Sequence, residues 1–506
     1  MLSDPIFTIE TGNGRLRADF PSCLALLAGG HLGEFQGLSA HQRPAWLLFL
    51  YQTAALALLR SGADTLTEDD AGWRSLTAPE RWRGYLEALA PATAWQLVNP
   101  DPTQPALLQT PQSPGYTLLA TTPDELDVLI TSKNHDVKMA RATSASDCEW
   151  LFALVTLQTT QGYSGRGNFG VARMNGGFSS RPLVERLPDR TLPAQFRHGV
   201  RSALAARAKA LSVRPSLFTA DGIALLWLQK WDSEQALPII RVDPLVVEIC
   251  RRVRLVRDAA GQITAIGRAS ETARLDVPKE VKGNLGDAWT PTKSGDGAAL
   301  TVGSNGFDYR QISHLLNAAD FRLPVAAANT NPWLHLAVLA RGQGKTEGYH
   351  ERWVRLPEGV TEDALGEISE RMVQEANGAK QALQRALLNL LQGGPEEIKF
   401  DDKRTSTWLA EADGGIDNIF FRHLYERAAA PDAVAAHEAW KAALCALVQG
   451  LFDRAVAGGI SPPGTRRERA HAIAGSVFAS MLWRAGLRPS PTIKSEPEEE
   501  FHDDFV

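Results

Sequence analysis

Residues 165 to 170 run Gly165-Arg166-Gly167-Asn168-Phe169-Gly170, the G-x-G-x-x-G spacing of a turn that lays backbone N–H groups against a pyrophosphate. Asp189 follows about twenty residues on, where a ribose-binding acid would stand. That chemistry also needs a helix opening directly after the third glycine, so that its N-terminus meets the phosphates. The next residues are Val171-Ala172-Arg173-Met174-Asn175-Gly176-Gly177, with Pro182 beyond, and they cannot start a packed helix of useful length. A nicotinamide-dependent oxidoreductase is therefore an alternative reading rather than the favoured one.

A second phosphate signature ends in Gly344-Lys345-Thr346, but Leu339 stands where the leading glycine of a P-loop belongs. The following YHERWVRL has the pattern of a returning strand, so a P-loop NTPase is also only an alternative. The favoured reading is a β-hairpin whose glycine-opened tip, RGQGKTEG, projects Arg341, Gln343 and Lys345 outward. Ser164 lies in a G-x-S-x-G elbow that lacks its last glycine, and Val354 replaces the second histidine of a zinc-protease pattern begun by His350-Glu351. No nucleophile, base and orienting acid come together, and the chain is expected not to be an enzyme and to need no cofactor. Cys23, Cys148, Cys250 and Cys445 are too dispersed for a zinc ribbon, and no metal is expected.

What remains is bare backbone with cations beside it. Glycines let N–H groups and flanking arginines approach phosphates or a narrow groove, and a protruding tip can wedge between bases. The net charge is −5, but between residues 131 and 210 twelve basic side chains face five acidic ones. A basic region of this kind on an acidic molecule can focus a polyanion onto one face.

These residues need a scaffold, and 506 residues with 44% hydrophobic content can build more than one core. PIFTIETGNGRLRADF predicts a hairpin with a Gly-Asn-Gly turn, and AWLLFLYQTAALALL, carrying Gln52 and Thr53, predicts a buried helix rather than a membrane span. AQFRHGVRSALAARAKAL predicts another helix. From residue 361 the texture becomes helical: Thr361 as N-cap, apolar residues at helical spacing and Gly393-Gly394 as a stop, then FFRHLYERAAA, DAVAAHEAWKAALCALVQGLFDRAVAG and TRRERAHAIAGSVFASMLWRAGL. The fold class expected is α+β: a large mixed amino-terminal domain over residues 1–360, a carboxy-terminal four-helix bundle over 361–490, and a disordered acidic tail over 491–506. MLSDPIF lacks the basic and apolar regions of an export signal, so a cytoplasmic location is expected, with no membrane partner.

In this order, "GLSAHQRPAW", "TPDELDVLITSKNHDVK", "GYSGRGNFGVARMNGGFSSRP", "DAWTPTKSGDG", "ARGQGKTEGYHERW" and "GIDNIFFRHLYERA" give the chain a resemblance to the CasA family, large subunits of the type I-E CRISPR surveillance complex Cascade. The resemblance implies recognition of the protospacer-adjacent motif in double-stranded DNA through the minor groove, initiation of unwinding and recruitment of a helicase-nuclease. The implied partners are the other Cascade subunits, the 5′ handle of the CRISPR guide RNA, the target duplex and that helicase-nuclease. By position, the family's glycine loop is similar to residues 162–170, with Gly165, Arg166, Gly167 and Asn168 as DNA contacts and Gly165 and Gly167 nearest the groove. Its lysine finger is similar to Lys293, and its wedge to Gln343 and Gly344, with Arg341 and Lys345 beside them. Its motif or guide-RNA loop is similar to residues 134–146, with Asn134, His135, Lys138 and Arg141 as contacts. Some of Arg422, Arg427, Arg466, Arg467 and Arg469 in the helical region are expected to guide the displaced strand.

Overall fold

A computed structural model describes residues 1–129, 145–175, 181–231, 234–341, 346–394 and 397–488. Its contacts divide the chain into two compact units, Met1–Gly359 and Val360–Val506. The first mixes helices with small sheets, the second is helical, and the class is α+β.

In the first unit the opening hairpin forms from strands Phe7–Thr11 and Gly14–Ala18, and Leu32–Phe35 pairs on the other edge of Phe7–Thr11. The alternation in Phe7–Thr11 buries Phe7 and Ile9, and Phe7 meets Phe35 and Trp46 at ring separations of 5.8 and 5.6 Å. Trp46 belongs to the helix Arg43–Arg60, which is buried from Pro44 to Leu58 because its sequence is apolar on every side. Each fully buried Leu or Phe here contributes about 1.5–3 kcal/mol. Its one buried amide, Gln52, donates to Val246 O at 3.0 Å and accepts from Arg181 at 3.1 Å, so its polarity is satisfied inside the core. The helix Asp147–Thr160 packs beside it; a capping box fixes its start, with Ser146 N–H donating to Glu149 at 2.7 Å.

Two further sheets carry the loops of interest. One orders Thr117–Ala120, Ile263–Arg268 and Arg252–Arg257, all antiparallel. The other sets Trp333–Arg341 between Thr346–Arg355 and Leu183–Leu187. Its core position, His335, is buried and sits between Glu185 (3.1 Å) and Glu351 (3.0 Å), stacked on Trp353 at 4.0 Å.

The second unit holds Glu362–Gln392, Ser406–Ala429, Ala433–Ala457 and Thr465–Arg484. Thr361 caps the first helix through Ala364 N–H, and Gly393 ends it at φ 77°, a left-handed conformation that favours glycine. Glu375 inside this unit accepts from Arg427 (3.5 Å), His437 (2.5 Å) and Trp440 (2.8 Å). Among the described residues no helix is long and apolar enough to cross a membrane.

Candidate nucleic-acid interface

The helix Asp147–Thr160 delivers the chain to Gln161, where the backbone turns extended. The loop that follows is closed by Val171 N–H to Gln161 O at 3.0 Å and tightened inside by Ser164 N–H to Asn168 O at 2.9 Å and Asn168 N–H to Gly165 O at 3.0 Å. Gly165 (φ 101°) and Gly167 (φ 81°) both take backbone conformations that side chains resist. They differ in what they face. A Cβ on Gly165 would meet nothing within 4 Å, whereas one on Gly167 would lie 2.9 Å from Ala269 Cβ, and Ser270 N–H donates to Gly167 O at 3.2 Å. Gly165 thus borders open space, whereas Gly167 docks the loop on its neighbour. Arg166 and Asn168 are exposed, and the Arg166 pair with Glu271, at 3.5 Å between two exposed side chains, is of the kind worth little.

No helix follows Gly170 in the described residues; 171–175 is irregular. Asp189 is spent on a turn, accepting from Thr191 N–H at 2.7 Å.

Two arginines hold the loop. Arg251 donates to Gly162 O at 3.1 Å and to Phe169 O, bridging its two limbs. Arg341 donates to Ser164 Oγ at 2.9 Å and Thr346 Oγ1 at 3.1 Å. Burial, then the nearby Arg251 charge, pull the Arg341 pKa below its ordinary value. Arg341 was expected to project outward from the hairpin; it turns back instead, because Ser164 offers it an acceptor. Arg251 was not foreseen, and the doublet Arg251-Arg252 beside an apolar alternation was the available signal.

Lys293 is exposed at the edge of a tight loop in which its N–H donates to Ala298 O (2.9 Å) and its carbonyl accepts from Gly297 N–H (3.0 Å). Asn284 donates to Gly297 O at 2.8 Å, and the adjacent Gly283, at φ 76°, packs so tightly on Met174 and Asn175 that a Cβ could not fit. The lysine loop and the segment after the glycine loop therefore share one corner. Asn134, His135, Lys138, Arg141, Gln343, Gly344 and Lys345 lie outside the described residues.

Among the described residues, part of the basic stretch turns inward. Arg173 and Arg181 are buried against Glu248 (3.0 Å) and Asp287 (2.6 Å), Arg186 is buried on Asn331 O, and Arg207 reaches the buried Asp243 at 2.9 Å. They wire the interior together. Arg427 is likewise buried on Glu375 and is withdrawn from any strand-guiding role, whereas Arg422, Arg466, Arg467 and Arg469 are not buried.

No protein-family model matches this sequence, and no curated protein does. Solved structures do. The structure of Thermus thermophilus CasA (Cse1) matches with a TM-score of 0.65 at 14% identity, over 96% of this chain and 98% of that one. Thermobifida fusca Cse1 gives 0.66 at 14% identity, over 97% and 98%. A chain of a CRISPR RNA-guided surveillance complex gives 0.59 at 13% identity, over 95% and 98%. Both units are spanned at identities this low, so what is shared is the course of the backbone: the chain has the CasA (Cse1) fold.

Proposed function

We propose that this chain is a CasA-type large subunit of an RNA-guided surveillance complex, which reads a short motif in double-stranded DNA from the minor groove, starts its opening and recruits a helicase-nuclease. The observation that carries the reading is the joining of three loops: Arg341 of the hairpin on Ser164 of the glycine loop, and the lysine loop bonded through Asn284 to the segment whose Gly283 packs on Met174 and Asn175. Gly165, Arg166 and Asn168 then offer open backbone, an exposed cation and an amide, with Lys293 on the neighbouring loop.

Such groups bind phosphates and a groove floor without making bonds, and the minor groove asks for little more, because it distinguishes A·T from G·C and not the individual letters. Long sequence reading is left to guide pairing. Opening a base step costs a few kcal/mol, offset by contacts made only to the opened duplex. In this reading the chain is a binding subunit, and the residues from 134 to 146 meet the guide's 5′ handle or the motif.

The test is capture of a motif-bearing duplex by the complex reconstituted with guide RNA. Lys293→Ala and Gln343→Ala are expected to weaken capture while the complex still assembles. Variants that load the duplex as well as the parent would overturn the assignment.

A further inference from the structure

Beneath the glycine loop lies a cleft of about 600 Å³, within the size range of sites that hold a small molecule. Arg251, Arg252, Arg268 and Arg341 all line it. Their partners are neutral: Arg251 has Gly162 O, Phe169 O and Cys250 O; Arg252 has Ala269 O, Ser113 Oγ and the face of Tyr116; Arg268 has Pro114 O; Arg341 has Ser164 Oγ and Thr346 Oγ1. Among the described residues none of the four meets a carboxylate. Arginines bound only to neutral oxygens occur elsewhere, Arg254 and Arg274 among them, but singly.

The cleft has two acids in its wall, and both are engaged. Asp127 accepts from His41 at 2.9 Å, from Gln42 at 2.6 Å and from Leu129 N–H at 2.9 Å, while Glu125 closes a capping box with Thr121 and Thr122. Four positive charges thus line one space against two acids, neither of which, among the described residues, pairs with any of the four, so its wall carries an excess of positive charge. Nε of Arg252, Nε of Arg341 and Oε1 of Gln161, on three lining side chains, also lack a hydrogen-bond partner among the described residues. The rest of the wall includes apolar side chains, among them Leu119, Leu126 and Val128.

An occupant must bring concentrated negative charge and a flat apolar part, and it must be far narrower than a duplex. We infer that the cleft takes one unpaired nucleotide of a nucleic-acid strand, its phosphates on the arginines and its base against the leucines. The inference rests on the reading above, since Ser164 and Asn168 belong both to the glycine loop and to the wall of the cleft.

The test uses the full chain and thymidine or uridine pentanucleotides carrying a photoreactive 4-thio base, with crosslinks mapped by mass spectrometry. Crosslinks are expected within residues 113–129 or 251–269. Arg268→Ala, at an exposed position, and Arg341→Gln should each weaken strand binding about tenfold, as loss of a hydrogen bond to a charged group does. Each lost phosphate contact should also flatten the salt dependence by about 0.7 in the log–log slope. The thymidine and uridine arms show which sugar is preferred. Equal competition by free thymidine monophosphate would overturn the strand in favour of a free nucleotide. Crosslinks elsewhere, or variants that bind like the parent, would overturn the cleft; if Lys293→Ala still weakened duplex capture, the proposed function would stand without it. A reconstituted complex that captured no motif-bearing duplex would sink that function, and the crosslinks would still decide the cleft.

Discussion

Arg341 and Ser164 are separated by 176 intervening positions yet meet at 2.9 Å, so the hairpin and the glycine loop are held as one body by a guanidinium on a hydroxyl. Removing either partner should free both. In a double-mutant cycle, Arg341→Ala and Ser164→Ala are expected to couple by about 1.5 kcal/mol, the low end for a hydrogen bond to a charged group because the pair is only half-buried. Amide exchange over residues 161–171 should quicken in either single variant. Additive losses would show that the two elements stand independently.

The two loop glycines should respond unequally to alanine. Gly165→Ala carries only the left-handed backbone cost, about 1–2 kcal/mol, since nothing lies near its Cβ. Gly167→Ala carries that cost and the contact with Ala269 as well. Urea unfolding of the first unit should rank Gly167→Ala below Gly165→Ala, whereas duplex capture, judged at equal folded fraction, should suffer more from Gly165→Ala.

The buried His335 makes stability depend on pH from two sides. Burial lowers its pKa, but its hydrogen bonds to Glu185 and Glu351 prevail and hold it above the ordinary value, so its contribution is complete below about pH 6.5 and fades as pH rises through the folded value. For Glu351, burial raises the pKa but the hydrogen bonds from His335, Tyr349 and Trp353 bring it to about 2; that contribution is present above 4.5 and is lost as pH falls toward 2. The pair is therefore strongest between about pH 4.5 and 6.5. His335→Gln is expected to remove the alkaline decline, checked by denaturant midpoints at about pH 5.5 and about pH 8.5.

Glu375→Ala in the helical unit should cost about 3 kcal/mol, because it leaves the buried Arg427 without a counter-charge and His437 and Trp440 without an acceptor. Pairing it with Arg427→Leu should recover part of the loss. Thermal unfolding of the second unit measures both, and an unchanged midpoint in Glu375→Ala would contradict the packing.

The caps and stops that lie close in sequence were legible. Thr361 and Gly393 bound their helix as read, and the hairpin around residues 341–346 returns as a strand. The helix Ser406–Ala429 was seen only from Phe420 onward, and Gly414-Gly415 lie inside the part that was missed. The glycine at 415 serves packing: a Cβ there would come within 2.6 Å of Leu447 Cδ1, so helix contact prevails over propensity. The basic cluster misled for a similar reason. Composition counts charges and cannot show that Arg173 and Arg181 spend theirs inward on Glu248 and Asp287, acids about 75 and 106 positions away. Arg251 escaped notice because its partners are carbonyls, which side-chain pattern does not mark, and only its place in the Arg251-Arg252 doublet hinted at it.

That same Arg251 has a thermodynamic effect. By clasping Gly162 and Phe169 across the mouth of the loop, it removes backbone freedom during folding, before any encounter takes place. Whatever later settles on Gly165 and its neighbours finds a surface with little entropy left to lose, and so can be gripped by few contacts and released quickly when those contacts do not fit.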